Sequence, residues 1–124
     1  FIKRVYSNYD FDINTGRWVP MMDPQIGGLR HYGTANIGQG VPWSNASNYS
    51  NPQMDKVIEA LQGEVDPAKR REDFHEFQRI AQRDLPVIPL FEQQNFTVYS
   101  KRLQGVSVAP DGALSSLKDI SIAP

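Results

Sequence analysis

The sequence predicts an α/β fold, and three observations support this prediction. Residues 51–94 carry two helical patterns, each opened by an Asx-Pro pair. An apolar, extended run flanked by prolines follows the second pattern. Shorter stretches on either side alternate polar and apolar residues, as half-buried strands do. With 124 residues the chain is long enough to bury one modest core.

The N-terminal third is predicted to hold one strand and one weak helix. Residues 10–14 alternate in polarity, which places their two apolar side chains on one face. A helix is expected over residues 25–32, because Asp23-Pro24 supplies a capping residue and a first-turn proline. A glycine pair inside this segment weakens the helix by about 1 kcal/mol per glycine relative to alanine.

The first strong helix is predicted to begin after Asn51 and to end at Gly63. An asparagine cap accepts a hydrogen bond from an unpaired backbone N–H, and Pro52 gives up a donor that has no partner at that position. The apolar residues recur at the spacing of one helical face. They are Met54, Val57, Ile58 and Leu61.

A second, longer helix is predicted to begin after Asp66 and to end before Pro86, because the residue before a proline is disfavoured in the α region. Its apolar face is expected to enter the core. That face comprises Phe74, Phe77, Ile80, Ala81 and Leu85.

Three extended segments are predicted after the helices. Residues 87–91 form an apolar run whose prolines keep it out of the centre of a sheet. Residues 96–99 alternate again as a strand, and residues 117–122 are expected to form a last short strand.

Composition and motifs exclude several classes of function. A net charge of −1 and a pI near 6.1 give no support for a nucleic-acid surface. The chain has no cysteine, no glycine-rich phosphate loop and no Gly-x-Ser-x-Gly motif. Its two histidines, His31 and His75, lack the paired spacing of a metal site. We therefore predict no catalytic residue, no metal site and no cofactor, and no apolar run is long enough to span a bilayer.

A family resemblance joins the central motifs. Tyr49, Asn51-Pro52, Asp55, Asp66-Pro67 and residues 86–91 occur in an order and spacing that resemble the C-terminal part of family 5 extracytoplasmic solute-binding proteins. These are the dipeptide, oligopeptide and nickel receptors of ABC importers. The resemblance runs from about residue 9 to about residue 108. It implies a type II periplasmic-binding-protein-like fold of two lobes joined by a hinge, of which this chain is expected to be a C-terminal fragment.

The resemblance also implies an organisation, a location and partners. Residues 1–92 are expected to form part of the second, ligand-binding lobe with two scaffold helices, and residues 93–124 the hinge crossing and the closing strands of the first lobe. The implied location is periplasmic, with the signal sequence in a part of the protein that precedes this fragment. The implied partners are a small-molecule or peptide ligand, the transmembrane permease subunits and the remainder of the same chain. A dimer of the fragment is a further expected partner state, because exposed sheet edges favour pairing.

The resemblance places a strip of ligand-cleft wall at residues 16–22. Trp18 is a wall of the cleft or, alternatively, a core residue. Arg17 is a partner for a ligand carboxylate or faces solvent, and the methionines are adaptable apolar surface or core filling. The full set of predicted ligand-binding residues is Arg17, Trp18, Val19, Met21, Met22, Asn45 and Gln93.

One position departs from the family pattern. Oligopeptide receptors of this family carry an Asp three residues before the motif's acidic residue-Pro pair, and this Asp holds the peptide's α-amino group. The corresponding residue here is Pro20, which carries no charge. The identity of the ligand is therefore left open.

Two other functions were weighed. The same fold half resembles the ligand-sensing domain of a transcription regulator, which requires a DNA-binding segment upstream. A standalone hydrolase requires a nucleophile and a base that the sequence does not show. The receptor interpretation itself requires that Trp18 is not sealed inside a closed globule.

Overall fold

The computed structural model describes residues 1–18, 23, 25–92, 94, 96–106 and 117–123. They divide into two compact units, Phe1–Ile88 and Pro89–Pro124. The first unit holds helices α1 (Pro52–Gly63) and α2 (Pro67–Asp84), a π-helical turn at Lys3–Ser7 and 3₁₀ turns at Leu29–His31 and Thr34–Asn36. The second holds strands β1 (Leu103–Gln104) and β2 (Ser121–Ile122) and a 3₁₀ turn at Leu117–Asp119.

Both predicted Asx-Pro helices are confirmed. The Asn51 side chain accepts a hydrogen bond from the Gln53 backbone N–H at 2.8 Å, and α1 ends at Gly63 as expected. The Asp66 carboxylate accepts one from the Ala68 N–H, also at 2.8 Å, and opens α2. Each cap satisfies one of the N–H groups that a helix leaves unpaired at its start.

The cap of α2 gives a first prediction. Replacing Asp66 with alanine is expected to lower the free energy of unfolding by about 0.5–2 kcal/mol, because the Ala68 N–H loses its acceptor. Urea unfolding followed by circular dichroism measures the change. Asp66→Asn retains a capping oxygen and serves as the control; equal loss in both variants would contradict a capping role.

The core of the first unit lies between the two helices and the turn that precedes them. The fully buried side chains in this cluster are Leu29, Met54, Ile58, Leu61 and Ile80. Partly buried side chains pack around them: Tyr32, Tyr49, Val57, Phe74, Phe77 and Ala81. Burying an aliphatic side chain of this size stabilises the fold by about 1.5–3 kcal/mol, so the cluster holds the helices together.

The prediction that Leu85 belongs to this core is wrong. Leu85 is 52% exposed and has a left-handed backbone conformation with φ +46°. Its N–H still donates to the Ala81 carbonyl at 2.9 Å, so it caps the C-terminus of α2. The left-handed turn takes the side chain off the helical face that the sequence pattern assigns to it.

A polar network joins the start of α1 to the end of α2. The Asp84 carboxylate accepts hydrogen bonds from the Tyr49 hydroxyl at 2.5 Å, the Asn51 amide at 2.6 Å and the Arg83 guanidinium at 2.8 Å. These donors lower the pKa of Asp84, with Arg83 as the largest cause. Burial and then Asp84 itself raise the pKa of Tyr49 to about 12. The last turn of a helix disfavours an anion, and these donors offset that cost.

The prediction of an α-helix over residues 25–32 is wrong. The segment forms turns, followed by the 3₁₀ turn Leu29–His31. Gly27 has φ +87°, outside the helical region, which interrupts the helix that the Asp23 cap was expected to start. The turn still delivers Leu29 to the core.

Most of the predicted strands are absent from the described residues. Residues 10–14 form no ladder, and Ile13 is 86% exposed. Residues 87–91 are outside any sheet, and so are residues 96–99. Alternating polarity specifies a strand only when a partner pairs with it. Of the predicted strand over 117–122, only the last two residues form β2, which pairs antiparallel with β1, whereas Leu117–Asp119 is a 3₁₀ turn.

The turn after β1 requires glycine. Gly105 has φ +71°, and a Cβ atom at this position would lie 2.1 Å from the Asp119 carbonyl oxygen. The hairpin therefore depends on close backbone approach at this position. Among the described residues, no helix has both the length and the apolar character needed to cross a bilayer.

Candidate functional site

Five aromatic rings from four separate segments meet in the first unit. We call this group the aromatic cluster; it comprises Phe1, Tyr6, Trp18, His31 and Trp43. Trp43 contacts most of the others: its ring centroid lies 5.8 Å from that of Tyr6 and 6.5 Å from those of Phe1 and Trp18. Tyr6 is buried, whereas Phe1 and both tryptophans are exposed. The cluster therefore has a buried side and a side open to solvent.

Trp18, the main predicted wall residue, lies on the open side. Its side chain is 45% exposed, so it is not sealed within the unit. The indole contacts the His31 imidazole, with 3.4 Å between ring centroids, and meets Trp43 edge to face at an interplanar angle of 87°. Trp18 itself is therefore open to solvent, while its neighbours 19–22 lie outside the described residues.

His31 lies below Trp18 and is uncharged at neutral pH. Burial is the largest cause that lowers the pKa of His31 to about 4; the positive charge of Arg30 acts in the same direction, and a hydrogen bond with the Ser44 backbone opposes both. The Nε2 atom is buried and has no hydrogen-bond partner within the part of the chain that the structure describes. Sequence analysis gave His31 no site role; in the structure it supports the predicted wall residue.

The buried histidine predicts a pH dependence of stability. The unfolded chain, in which the histidine pKa is about 6.5, takes up the proton more readily than the folded chain. The free energy of unfolding should therefore fall as pH drops from about 6.5 to about 4. Urea unfolding at several pH values measures this, and His31→Phe should abolish the fall in that window.

His75→Gln is the matched control, because it removes an exposed histidine and leaves the buried imidazole of His31 in place. This variant should keep the wild-type pH profile of stability. If the wild-type protein and His31→Phe show the same pH profile between 6.5 and 4, the buried neutral state of His31 is refuted.

Trp43 has an unusual backbone conformation for a tryptophan. Its φ is +64°, in the left-handed region that bulky residues rarely adopt. Neighbouring hydrogen bonds fix the loop around it: the Gly40 N–H donates to the Tyr6 carbonyl at 2.7 Å, and the Asn45 N–H to the Asn36 carbonyl at 3.0 Å. Trp43 is not among the ligand-binding residues predicted from the sequence.

Asn45, a predicted ligand contact, serves the loop in this structure. It is buried, and its amide nitrogen donates to the carbonyls of Gly33 at 3.1 Å and Tyr49 at 2.8 Å. Its side-chain oxygen accepts from the Ser47 hydroxyl and the Tyr49 N–H. All four hydrogen-bonding positions of the amide are used within the chain, so its role here is to hold the loop that carries Trp43.

The other predicted site residues divide into two groups. Arg17 is exposed next to Trp18, as a residue of an open wall would be. Four residues lie outside the described residues: Val19, Met21, Met22 and Gln93. Pro20, where the family pattern expects an Asp, also lies outside them.

A surface depression lies beside the start of α2, apart from the aromatic cluster. The Arg70 guanidinium pairs with both oxygens of Asp23, at 2.6 and 2.7 Å, and its Cζ lies 5.7 Å from the Phe74 ring centroid. This contact, with the N–H of Gln25, lowers the pKa of Asp23. Because each charge is matched by the other, this depression favours a structural role over an ionic ligand.

Sequence similarity connects the chain with periplasmic binding proteins. It is 28% identical over 102 residues to a probable D,D-dipeptide-binding periplasmic protein of Escherichia coli, covering 82% of this chain and 19% of that protein. It is 28% identical over 71 residues to a peptide transport periplasmic protein of Haemophilus influenzae, covering 57% of this chain and 13% of that protein. It is also 34% identical over 67 residues to an uncharacterized lipoprotein of Mycobacterium tuberculosis, covering 54% of this chain and 12% of that protein.

The chain thus spans between 12% and 19% of the length of these relatives. No protein-family profile matches the chain, and no solved structure matches it. The similarity therefore defines a class, that of peptide-binding and peptide-transport proteins of the bacterial periplasm, together with a lipoprotein. It supports a relationship to family 5 solute-binding proteins in general and indicates no particular member.

Proposed function

We propose that this chain is part of an extracytoplasmic solute-binding receptor of an ABC importer, of the family 5 type. The receptor captures a peptide or a similar small solute between two lobes of a type II fold and delivers it to the permease. The observation that carries the proposal is the similarity to a probable D,D-dipeptide-binding periplasmic protein along 82% of the chain.

The structure supports the proposal through the placement of Trp18. A receptor wall needs an apolar surface that stays open until the ligand arrives, and a scaffold that holds it rigidly. Trp18 is half-exposed and rests on the buried His31, in the unit whose core is built on α1 and α2. Ligand bound between the lobes stabilises the closed state by its higher affinity for that state.

The proposed function involves no reaction on the solute. The relatives are named as binding and transport proteins, and a receptor needs only affinity and a change of shape. Since Pro20 replaces the Asp that the family uses for an α-amino group, we propose that the solute is held mainly through apolar and backbone contacts.

Titration calorimetry of the full-length polypeptide tests the proposal. A panel of L- and D-dipeptides, free and N-acetylated, should contain members that bind, and Trp18→Ala should weaken their binding about tenfold or more, as loss of a large aromatic contact does. Lys56→Ala, an exposed change on α1, is the control. Absence of binding to every member, or equal affinity for Trp18→Ala, would refute the proposal.

The 124-residue chain alone is expected to bind the same dipeptides weakly or not at all. It supplies only one strip of the wall, and a ligand held on one side loses most of the contacts that offset its immobilisation. Calorimetry of the chain provides the measurement, with the full-length polypeptide as the reference. Micromolar binding by the chain alone would show that its own residues form the complete site.

A further inference from the structure

We propose that Trp43 and Trp18 together form an aromatic corner that binds a flat apolar group of the solute, such as an aromatic side chain. Trp43 is then a specificity-determining residue. The inference deepens the proposed function and rests on it for the class of ligand, since the relatives are peptide-binding proteins.

The first argument is the geometry of the two rings. Trp18 and Trp43 stand at 87° with their centroids 6.5 Å apart, and they are 45% and 47% exposed. Because both rings stay about half exposed, each presents surface to solvent beside the other. A flat group placed there stacks on one indole and meets the other edge to face, and these are the two arrangements that aromatic pairs prefer.

The second argument is the backbone of Trp43. At φ +64° a glycine or an asparagine is accommodated more easily than a tryptophan, whose Cβ crowds the neighbouring carbonyl. Such a conformation persists when the surroundings determine it, and it occurs preferentially at binding sites. Here the hydrogen bonds of Asn45 determine it, because they fix the residues that follow Trp43. The loop thereby holds a large ring at an exposed position.

The third argument is that the two side chains below the corner, His31 and Tyr6, are uncharged. His31, under Trp18, is buried and neutral at physiological pH, because burial lowers its pKa to about 4. Tyr6, under Trp43, is also buried, and burial raises its pKa. An uncharged aromatic floor favours an apolar group over a cationic one, because a cation placed there would lose hydration and would meet the positive charge of Arg30.

Nuclear magnetic resonance of the 124-residue chain tests the corner directly. The chain has two tryptophans and hence two indole N–H signals, which Trp18→Phe and Trp43→Phe assign. We use two uncharged probes, N-acetylphenylalaninamide and N-acetylalaninamide. The aromatic probe should shift both indole signals and the alanine probe neither. Equal shifts with the two probes, or a shift of Trp18 alone, would overturn the inference.

The variant Trp43→Asn separates a ligand role from a packing role. Asparagine tolerates positive φ, so it keeps the backbone and removes the ring. The aromatic probe should then bind about two- to tenfold more weakly, whereas Trp43→Phe should retain most of the binding. Loss of stability in Trp43→Asn with unchanged probe affinity would show that the ring only packs, and would overturn the inference.

The same variant in the full-length polypeptide distinguishes the two proposals. If Trp43→Asn removes the preference for aromatic over alanine-containing dipeptides, the corner acts within the receptor. If dipeptides bind with an unchanged preference, the corner fails and the receptor proposal stands. If the aromatic probe shifts both indoles but no dipeptide binds the full-length polypeptide, the corner stands and the receptor proposal fails.

Discussion

Replacing Leu61 with alanine is expected to lower the free energy of unfolding of the first unit by about 2–5 kcal/mol. The side chain is 0% exposed and lies in the cluster that joins α1, α2 and the Leu29 turn. Its backbone carbonyl also accepts a hydrogen bond from the Gln25 side chain, which keeps the preceding turn in place and limits collapse around the cavity. A cavity whose surroundings cannot collapse into it destabilises a protein more than one that is refilled, so the loss should lie in the upper part of this range.

Two control variants separate the loss of a buried side chain from the loss of exposed apolar atoms and from the sequence pattern. Val65→Ala removes apolar atoms that are 91% exposed, and Leu85→Ala removes a side chain that the pattern assigned to the core but that the structure exposes. Both should change stability by about 0.5 kcal/mol or less. Urea unfolding monitored at 222 nm gives all three values. A loss below about 1 kcal/mol for Leu61→Ala would contradict the core described here.

The two helices were predictable because their signals are local. A capping oxygen, a proline at the first position and an apolar stripe all lie within a few residues of the backbone they control. The end of α2 shows the limit of this reasoning. Pro86 correctly predicts that the helix stops, but the left-handed conformation of Leu85 decides where its side chain points. That conformation does not follow from the apolar stripe.

The errors concern structure that depends on distant partners. Residues 10–14 have the polarity of a strand, but a strand needs a neighbour, and the described chain pairs none with them. The short β2 forms because β1 pairs with it. The glycine at position 27 was counted as a small cost in helix stability, whereas its positive φ interrupts the helix.

The candidate site was only half predictable for a similar reason. Trp18 was identified through its position in a family motif, and the structure exposes it. Trp43 and His31 lie in other segments, and only folding brings them next to Trp18. No periodic pattern links these positions. Asn45 was selected as a polar loop residue, yet its hydrogen bonds show that the same polarity serves to build the loop.

The network around Asp84 shows how the two helices are fixed relative to each other. The hydrophobic cluster favours contact between α1 and α2 but does not by itself fix their relative orientation, because apolar contacts are non-directional. The hydrogen bonds that Tyr49, Asn51 and Arg83 donate to one carboxylate are directional, so they fix how the two helix ends are oriented. They tie the start of α1 and the Tyr49 loop to the end of α2. The Tyr49 carbonyl also accepts a hydrogen bond from the Asn45 amide, and the Tyr49 N–H donates one to the Asn45 side-chain oxygen. The network thus connects the helices with the loop that carries Trp43.

Replacing Asp84 with asparagine is therefore expected to lower the urea midpoint clearly at pH 7. The neutral amide accepts weaker hydrogen bonds than the carboxylate, and its NH₂ group adds a donor among three donors. The folded state lowers the pKa of Asp84, so this stabilisation is fully present above the ordinary aspartate pKa of about 3.9. It is lost as pH falls through the lowered pKa of the folded state.

The difference in urea midpoint between the wild-type protein and Asp84→Asn should accordingly stay constant from pH 7 to about 4 and narrow below it. The narrowing below about pH 4 lies outside the window assigned to His31, which runs from about pH 6.5 to about 4. The two groups can therefore be separated in one set of titrations. Tyr49→Phe removes one donor and should show a smaller decrease at pH 7, while Glu59→Gln, an exposed change on α1, should show none. A difference that persists unchanged to pH 2, far below the ordinary aspartate pKa of about 3.9, would mean that the carboxylate charge does not hold the helices together.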